Sequence, residues 1–271
     1  MNTLSLQPCE HAIKRGYIVP AMQPTVVNDA LLSVNDEVIG FYLKRIPDSL
    51  ADVIRFADAE LRSSRVPKSK MQRNEPLKDE HGLGKKNSRG KWMYSKIDQY
   101  SCILGSIPRK PHMRRNYETR SSVHLSASAK PFVKAMIVAG CKALDLVKDI
   151  TPDVYRRHVA AVTSAVPEKW RFAKYFTSSI SNVNTSAPVH RDNYNVKGGV
   201  NVIITVRRDA NGGDLFVPDL NAVFQQSHLS LLVYPAWRNS HGVTPIEATR
   251  PGGYRNSLVW YALDLFRGQD V

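Results

Sequence analysis

The sequence predicts an α+β fold, a double-stranded β-helix (jelly-roll) barrel with N-terminal helices packed on it. Three observations lead there. Apolar residues recur at helical spacing in several stretches before Trp170 and at strand spacing after it. The later strand-like runs are short and separated by clusters of Gly, Pro, Asn and Asp, as in sandwiches and barrels. His190-Arg191-Asp192 at the end of one run is answered by His241 after a later one, which would carry that histidine back across a barrel mouth.

Taken in order, residues 1 to about 30 show no clear periodicity and read as an extended lead-in. From Asp36 to about Arg62 the apolar residues Val38, Ile39, Tyr42, Leu43 and Ile46, then Leu50, Val53, Ile54, Phe56, Ala57 and Leu61, recur at helical spacing. Pro47 divides them into two helices, with Asp48 or Ser49 expected to cap the second. Ser63 to Lys91 is polar, basic and rich in turn-forming residues, and predicts a loop. Order should return at Trp92-Met93-Tyr94 and over Tyr100 to Gly105, before a second basic loop from Pro108 to Arg115. Ser126 to Lys148 predicts a helix, and Thr151-Pro152-Asp153 opens another that reaches about Val166. After Trp170, strands are expected at Phe172–Ser178, Ala187–His190, Val200–Arg207, Asp214–Val217, Ala222–Gln225, Leu229–Tyr234 and Ser257–Leu263. Turns at Asp209–Gly213, Pro218-Asp219 and Pro251–Gly253 would divide them. The chain thus reads as one domain over 1–271. A basic N-terminal region (1–125) and supporting helices (126–168) precede the jelly-roll core (169–267).

Composition narrows the function. No apolar run approaches the roughly 20 residues needed to span a bilayer, and the first 20 lack the pattern of a signal peptide. The protein is expected to be intracellular: nuclear in a eukaryote, or in the host cytoplasm if it comes from a phage. Cys9, Cys102 and Cys141 fit neither a zinc site nor a disulfide framework and are expected to be small buried hydrophobes. The net charge of +14 predicts attraction to polyanions. Between Arg62 and Arg120 there are 16 Lys and Arg against 5 Asp and Glu, so most of the excess sits in one segment.

The residues with chemistry lie further on. In an extended chain residues i and i+2 share a face, so His190 and Asp192 can reach one ion. His241 follows 49 residues after Asp192. Two imidazoles and one carboxylate, with positions left open, form the ligand set of non-heme Fe(II) oxygenases. Arg255, 14 residues beyond His241, shares a face with Ser257 on the last strand. Together they offer the bidentate cation and hydroxyl donor that a dicarboxylate such as 2-oxoglutarate requires. His11, His81, His112, His124, His158 and His228 are expected to be surface or structural.

Three stretches resemble the TET/JBP family of Fe(II)- and 2-oxoglutarate-dependent dioxygenases, which oxidise the 5-methyl group of pyrimidines in nucleic acid. They are His190-Arg191-Asp192 with the strand from Gly199 to Val206, His241-Gly242-Val243-Thr244-Pro245-Ile246, and Arg255-Asn256-Ser257-Leu258-Val259-Trp260-Tyr261. The likeness covers about residues 170 to 265, with compact loops like those of small phage and fungal members. Gly212-Gly213-Asp214-Leu215 is common across the wider superfamily and supports the fold alone.

The resemblance implies Fe(II) on His190, Asp192 and His241, 2-oxoglutarate on Arg255, with O₂ as cosubstrate, and a flipped base against Tyr261. Where the animal 5-methylcytosine oxidases carry a histidine two residues after that tyrosine, this chain has Leu263, which leaves cytosine against thymine open. The implied reaction is oxidation of 5-methylcytosine in DNA to 5-hydroxymethylcytosine and beyond. The alternatives are thymine hydroxylation in DNA, or hydroxylation of a protein or small molecule. A monomer binding DNA that contains a 5-methylpyrimidine is the expected assembly. Lys85, Lys86, Arg89, Trp92, Tyr94, Arg109, Lys110, Arg114 and Arg115 are the expected nucleic-acid contacts.

Overall fold

Asn35 and Asp36 both hold positive φ, 49° and 63°, as a type I′ turn requires, so they join two strands where a helix was expected to begin. In the computed structural model, which describes residues 1–9, 13–70, 86, 88–90, 99–109 and 116–266, β1 (Asn2–Ser5) runs parallel to β2 (Ala30–Val34). The turn then leads into β3 (Glu37–Leu43), antiparallel to β2. The first expected helix is thus a strand, and the lead-in begins with one. β3 buries Phe41 and Leu43 against the helices and Ile39 and Tyr42 inside the barrel. Apolar residues are needed on both faces, so no polar alternation marks it as a strand.

α1 (Asp48–Arg62) follows Pro47 as expected, but Pro47 itself occupies the N-cap and no side chain caps the helix. After β4 (Ser69–Lys70), β5 (Tyr100–Ile107), β6 (Thr119–Arg120) and the short α2 (Ser122–Leu125) come α3 (Lys130–Ile150) and α4 (Pro152–Ala165). Pro152 stands at the start of α4 as expected. The Thr151 hydroxyl, however, donates back to the Val147 carbonyl at 3.1 Å and does not cap α4.

The remaining strands are β7 (Ser178–Val183), β8 (Ala187–His190), β9 (Asn201–Arg208), β10 (Ala210–Gly212), β11 (Leu215–Val217), β12 (Ala222–Phe224), β13 (Leu231–Tyr234), β14 (His241–Val243), β15 (Ile246–Ala248) and β16 (Tyr254–Tyr261). The strand expected over Phe172–Ser178 starts only at Ser178, because Ala173 and Lys174 take positive φ and turn the chain back on itself. The turn expected at Asp209–Gly213 contains β10, which pairs with β15.

The large sheet runs β1-β2-β3-β13-β9-β16-β7-β5-β4, with β6 on β5, and a small sheet runs β12-β11-β14-β8. One core lies between the large sheet and the helices, where Val202, Leu258 and Trp260 meet Ala57, Phe132 and Met136. Trp260 Nε1 donates to the Met136 carbonyl at 3.0 Å. Gly140 keeps space for that ring, since a Cβ there would stand 2.7 Å from Nε1. A second core, including Leu32, Tyr42, Leu215, Phe224 and Leu232, fills the space between the sheets. This is the expected jelly-roll with helices on one face. Cys102 is buried and Cys141 half-buried, but Cys9 is exposed, contrary to expectation. Among the described residues no helix is long and apolar enough to cross a membrane.

Candidate metal centre

β8 and β14 are antiparallel neighbours in the small sheet, and their register sets His190 opposite His241 with ring centroids 4.3 Å apart. Asp192, just beyond β8, brings Oδ1 to 3.7 Å from His190 Nε2 and 3.9 Å from His241 Nε2. One donor atom from each of the three lies within 4.8 Å of the others, close enough to share a metal ion.

The surrounding groups orient these donors. His190 Nδ1 lies 2.9 Å from the Pro188 carbonyl and His241 Nδ1 3.4 Å from that of Asn239. A proton on each Nδ1 leaves the Nε2 lone pairs directed at the shared centre. Asp192 Oδ2 accepts from Asn201 Nδ2 at 3.0 Å and Asn195 Nδ2 at 3.3 Å, while Asn195 also donates to Asn201 Oδ1 at 2.8 Å. Burial holds His241 well below the usual imidazole range despite the pull of Asp192, so it stays neutral, as a ligand must. Neither asparagine was legible in the sequence, since a lone Asn carries no spacing that marks it.

A cavity of about 660 Å³ opens beside the three residues, and the inward face of β16 supplies much of its wall through Arg255, Ser257, Val259 and Tyr261. Arg255 is only 2% exposed, and a like charge, Arg207, stands directly across from it on β9. Arg207 is occupied: it pairs with Asp214 at 3.4 Å and donates to the Gly212 and Ala210 carbonyls. The Arg255 guanidinium makes no hydrogen bond or ion pair among the described residues, and its buried Nε has no partner. Burial first, then Arg207, bring its pKa down to about 9, with Asp214 opposing. A buried cation left without a partner calls for an anionic ligand. Ser257, beside it on the same face and next to Asn182 of β7, adds a hydroxyl.

The donor set therefore fits a metal, and the orphaned guanidinium fits a carboxylate. Tyr261 lines the cavity as expected, and so does Leu263, whose apolar side chain offers no hydrogen bond there. Tyr234 packs its ring edge-on to His241 at 5.8 Å and 87°. The expected nucleic-acid contacts fare differently. Lys86 and Arg89 are exposed, Arg109 pairs with Glu118 at 3.5 Å, and none of the three lines the cavity. Lys85, Trp92, Tyr94, Lys110, Arg114 and Arg115 lie outside the described residues, as do His11, His81 and His112. His158 is structural, its Nδ1 accepting from the Val200 N–H at 3.2 Å.

No family model matches the chain, and no curated protein matches it in sequence. Among solved structures it is similar to NgTET1 in complex with 5mC DNA, with a TM-score of 0.61 and 12% identity over 98% of this chain and 84% of that one. It is also similar to an oxidoreductase of the 2OG-Fe(II) oxygenase family from Burkholderia pseudomallei, with a TM-score of 0.41 and 16% identity over 81% and 83%. OsALKBH1 follows with a TM-score of 0.38 and 14% identity over 82% and 96%. The first likeness establishes a shared fold over nearly the whole chain.

Proposed function

We propose that this chain is an Fe(II)- and 2-oxoglutarate-dependent dioxygenase that hydroxylates the 5-methyl group of a pyrimidine in DNA. The unpartnered, buried Arg255 beside His190, Asp192 and His241 carries the reading. Asp214 neutralises Arg207, the arginine across from Arg255, so that Arg255 leaves a single positive charge in the cavity wall, the complement of one carboxylate. A divalent ion on two imidazoles and Asp192 would also retain one positive charge, the complement of a second. A dicarboxylate bridges the two, and the 2-oxo acid is the member of that class suited to this donor set.

With O₂, Fe(II) and 2-oxoglutarate in place, the site supplies oxidation of a C–H bond: one oxygen enters the substrate, and the oxo acid leaves as succinate and CO₂. The protein's own residues do the rest. Arg255 and Ser257 would hold the distal carboxylate, and Asn195 and Asn201 keep Asp192 turned toward the ion. Val259 and the buried Tyr234 add apolar surface to the cavity wall. Tyr261 and Leu263 border the space beside the metal and offer a ring and an apolar edge to a base and its methyl group. A base inside a duplex reaches such a cavity only after flipping out, at about a few kcal/mol. The likeness to NgTET1 and the charge of +14 favour a nucleic-acid substrate.

The test is incubation of the protein with Fe(II), 2-oxoglutarate and DNA containing 5-methylcytosine and thymine, followed by nucleoside mass spectrometry. One base should gain oxygen in step with succinate, and the analysis identifies which. Succinate release with every base unchanged would refute the DNA substrate while leaving the dioxygenase chemistry standing.

A further inference from the structure

Two short turns, far apart in sequence, border the mouth of the cavity. Lys14-Arg15-Gly16-Tyr17 closes with the Tyr17 N–H donating to the Lys14 carbonyl at 3.1 Å, and Gly16 has φ 88°. Two bonds of 2.8 Å strap it to β8: Gly16 N–H to the Val189 carbonyl, and Val189 N–H to the Tyr17 carbonyl. The second turn, Asp192 to Asn195, closes with Asn195 N–H on the Asp192 carbonyl at 3.0 Å. The Asp264 N–H pins it by donating to the Tyr194 carbonyl at 3.0 Å. Arg15, Arg191, Asn193 and Tyr194 all line the opening.

Both turns are held firmly by the backbone yet present large side chains to solvent. Tyr194 is 64% exposed and Tyr17 45% exposed. Arg191 is taken up by Asp219 at 3.2 Å, but Arg15 and Lys197 form no ion pair among the described residues. Exposed rings among unpaired cations suit a polyanion that also has planar faces: the cations meet phosphates and the rings stack on bases. An acidic peptide would satisfy the cations and leave the rings without partners.

We infer that the two rim turns form a nucleic-acid clamp, with Arg15 on a phosphate and Tyr194 stacked on a base next to the one drawn into the cavity. The clamp rests on the nucleic-acid reading above. It places the recognition surface on residues 14–17 and 191–197, which lie outside the Arg62–Arg120 basic segment of the sequence. Because Tyr194 stands two residues from Asp192, the same rigid turn would set both the ring at the mouth and the carboxylate at the metal.

The test uses the full chain and a fluorescently labelled duplex containing 5-methylcytosine, with binding followed by anisotropy at several salt concentrations. Arg15→Ala should lower the slope of log affinity against log salt by about 1. Tyr194→Ala should weaken binding about tenfold or more, the scale of losing one base–aromatic stack. Tyr194→Phe, which keeps the ring, should stay within about threefold of wild type by the same reasoning. Lys134→Ala at an exposed position of α3, Mn(II) affinity and thermal unfolding serve as controls and should not change. An unchanged salt slope in Arg15→Ala, or Tyr194→Ala binding like wild type, overturns the clamp. Equal weakening in Tyr194→Phe and Tyr194→Ala overturns the stacking role. If those failures occur while the wild type still oxidises DNA, the enzyme reading survives. If the wild type neither binds nor oxidises DNA, the clamp and the DNA substrate fall together, and polyglutamate bound as tightly as DNA overturns the clamp alone.

Discussion

Replacing Arg255 with Met should stabilise the ligand-free protein while nearly abolishing its affinity for 2-oxoglutarate. The guanidinium is buried, and the nearby carboxylate of Asp214 is already engaged by Arg207 at 3.4 Å. Its pKa falls from the usual guanidinium range to about 9, chiefly through burial. That corresponds to about 4–5 kcal/mol, as an order of magnitude, working against the charged folded state. The sign follows from linkage. A base whose folded pKa lies below its unfolded value opposes folding in full below about 9, and the opposition lifts as pH rises from there toward the ordinary guanidinium range. At neutral pH the whole penalty is present. Methionine fills similar space without charge, so relief of even about 2 kcal/mol should raise Tm by about 4–8 °C in a chain of this size. Binding should move the other way. Two charge-assisted hydrogen bonds at about 1.5–3 kcal/mol each amount to a loss of about 10² to 10⁴ in affinity. Scanning calorimetry of the ligand-free variant and titration of 2-oxoglutarate into Mn(II)-loaded protein measure the two effects. A lowered Tm with near-wild-type affinity would refute both the orphaned-charge account and the anchor.

Two further outcomes are expected. Asn201→Ala removes the 3.0 Å hydrogen bond that holds Asp192 Oδ2 and should weaken Mn(II) binding by about 10- to 100-fold, read by electron paramagnetic resonance; an unchanged affinity would show that the asparagine does not orient the ligand. His158 is fully buried with its pKa lowered to about 4, so the folded protein keeps it neutral while the unfolded chain protonates below about 6.5. Stability should therefore be lost as pH falls from about 6.5 toward 4, by about 3 kcal/mol in total, and His158→Gln should flatten that part of the profile in urea unfolding; parallel profiles would contradict it.

The half of the molecule that carries the candidate metal centre was legible because its residues follow a rule that survives folding. Period-two alternation places Arg255, Ser257 and Tyr261 on one face, and the same rule brings His190 and Asp192 together. The N-terminal half obeys that rule less visibly. β3 is apolar toward both the helices and the barrel, so Val38, Ile39, Tyr42 and Leu43 imitate helical spacing, and only Asn35-Asp36 betrayed the hairpin. Asn195 and Asn201 meet Asp192, and Arg15 and Tyr194 come to line one cavity, only in the folded chain. Local sequence cannot announce any of them. The charge run from Arg62 to Arg120 predicts attraction to a polyanion but names no surface, because net charge carries no geometry.

β16 shows how one strand can serve folding and chemistry without conflict. Its inward residues face the cavity, while its outward ones, Tyr254, Asn256, Leu258 and Trp260, face the helices. On that outer side Asp58 of α1, itself buried, accepts from Tyr254 Oη at 2.7 Å, Asn256 Nδ2 at 2.9 Å and Arg62 Nε at 3.0 Å. A slip of one residue would turn every side chain to the opposite face, sending Arg255 toward the helices and Trp260 into the cavity. It would also leave the buried Asp58 carboxylate without two of its donors, a heavy penalty in that environment. The Asp58 network and the Trp260–Met136 bond thus fix the register from outside. They free the inward face to carry an arginine whose burial opposes folding, and so to keep an anion site ready before any ligand arrives.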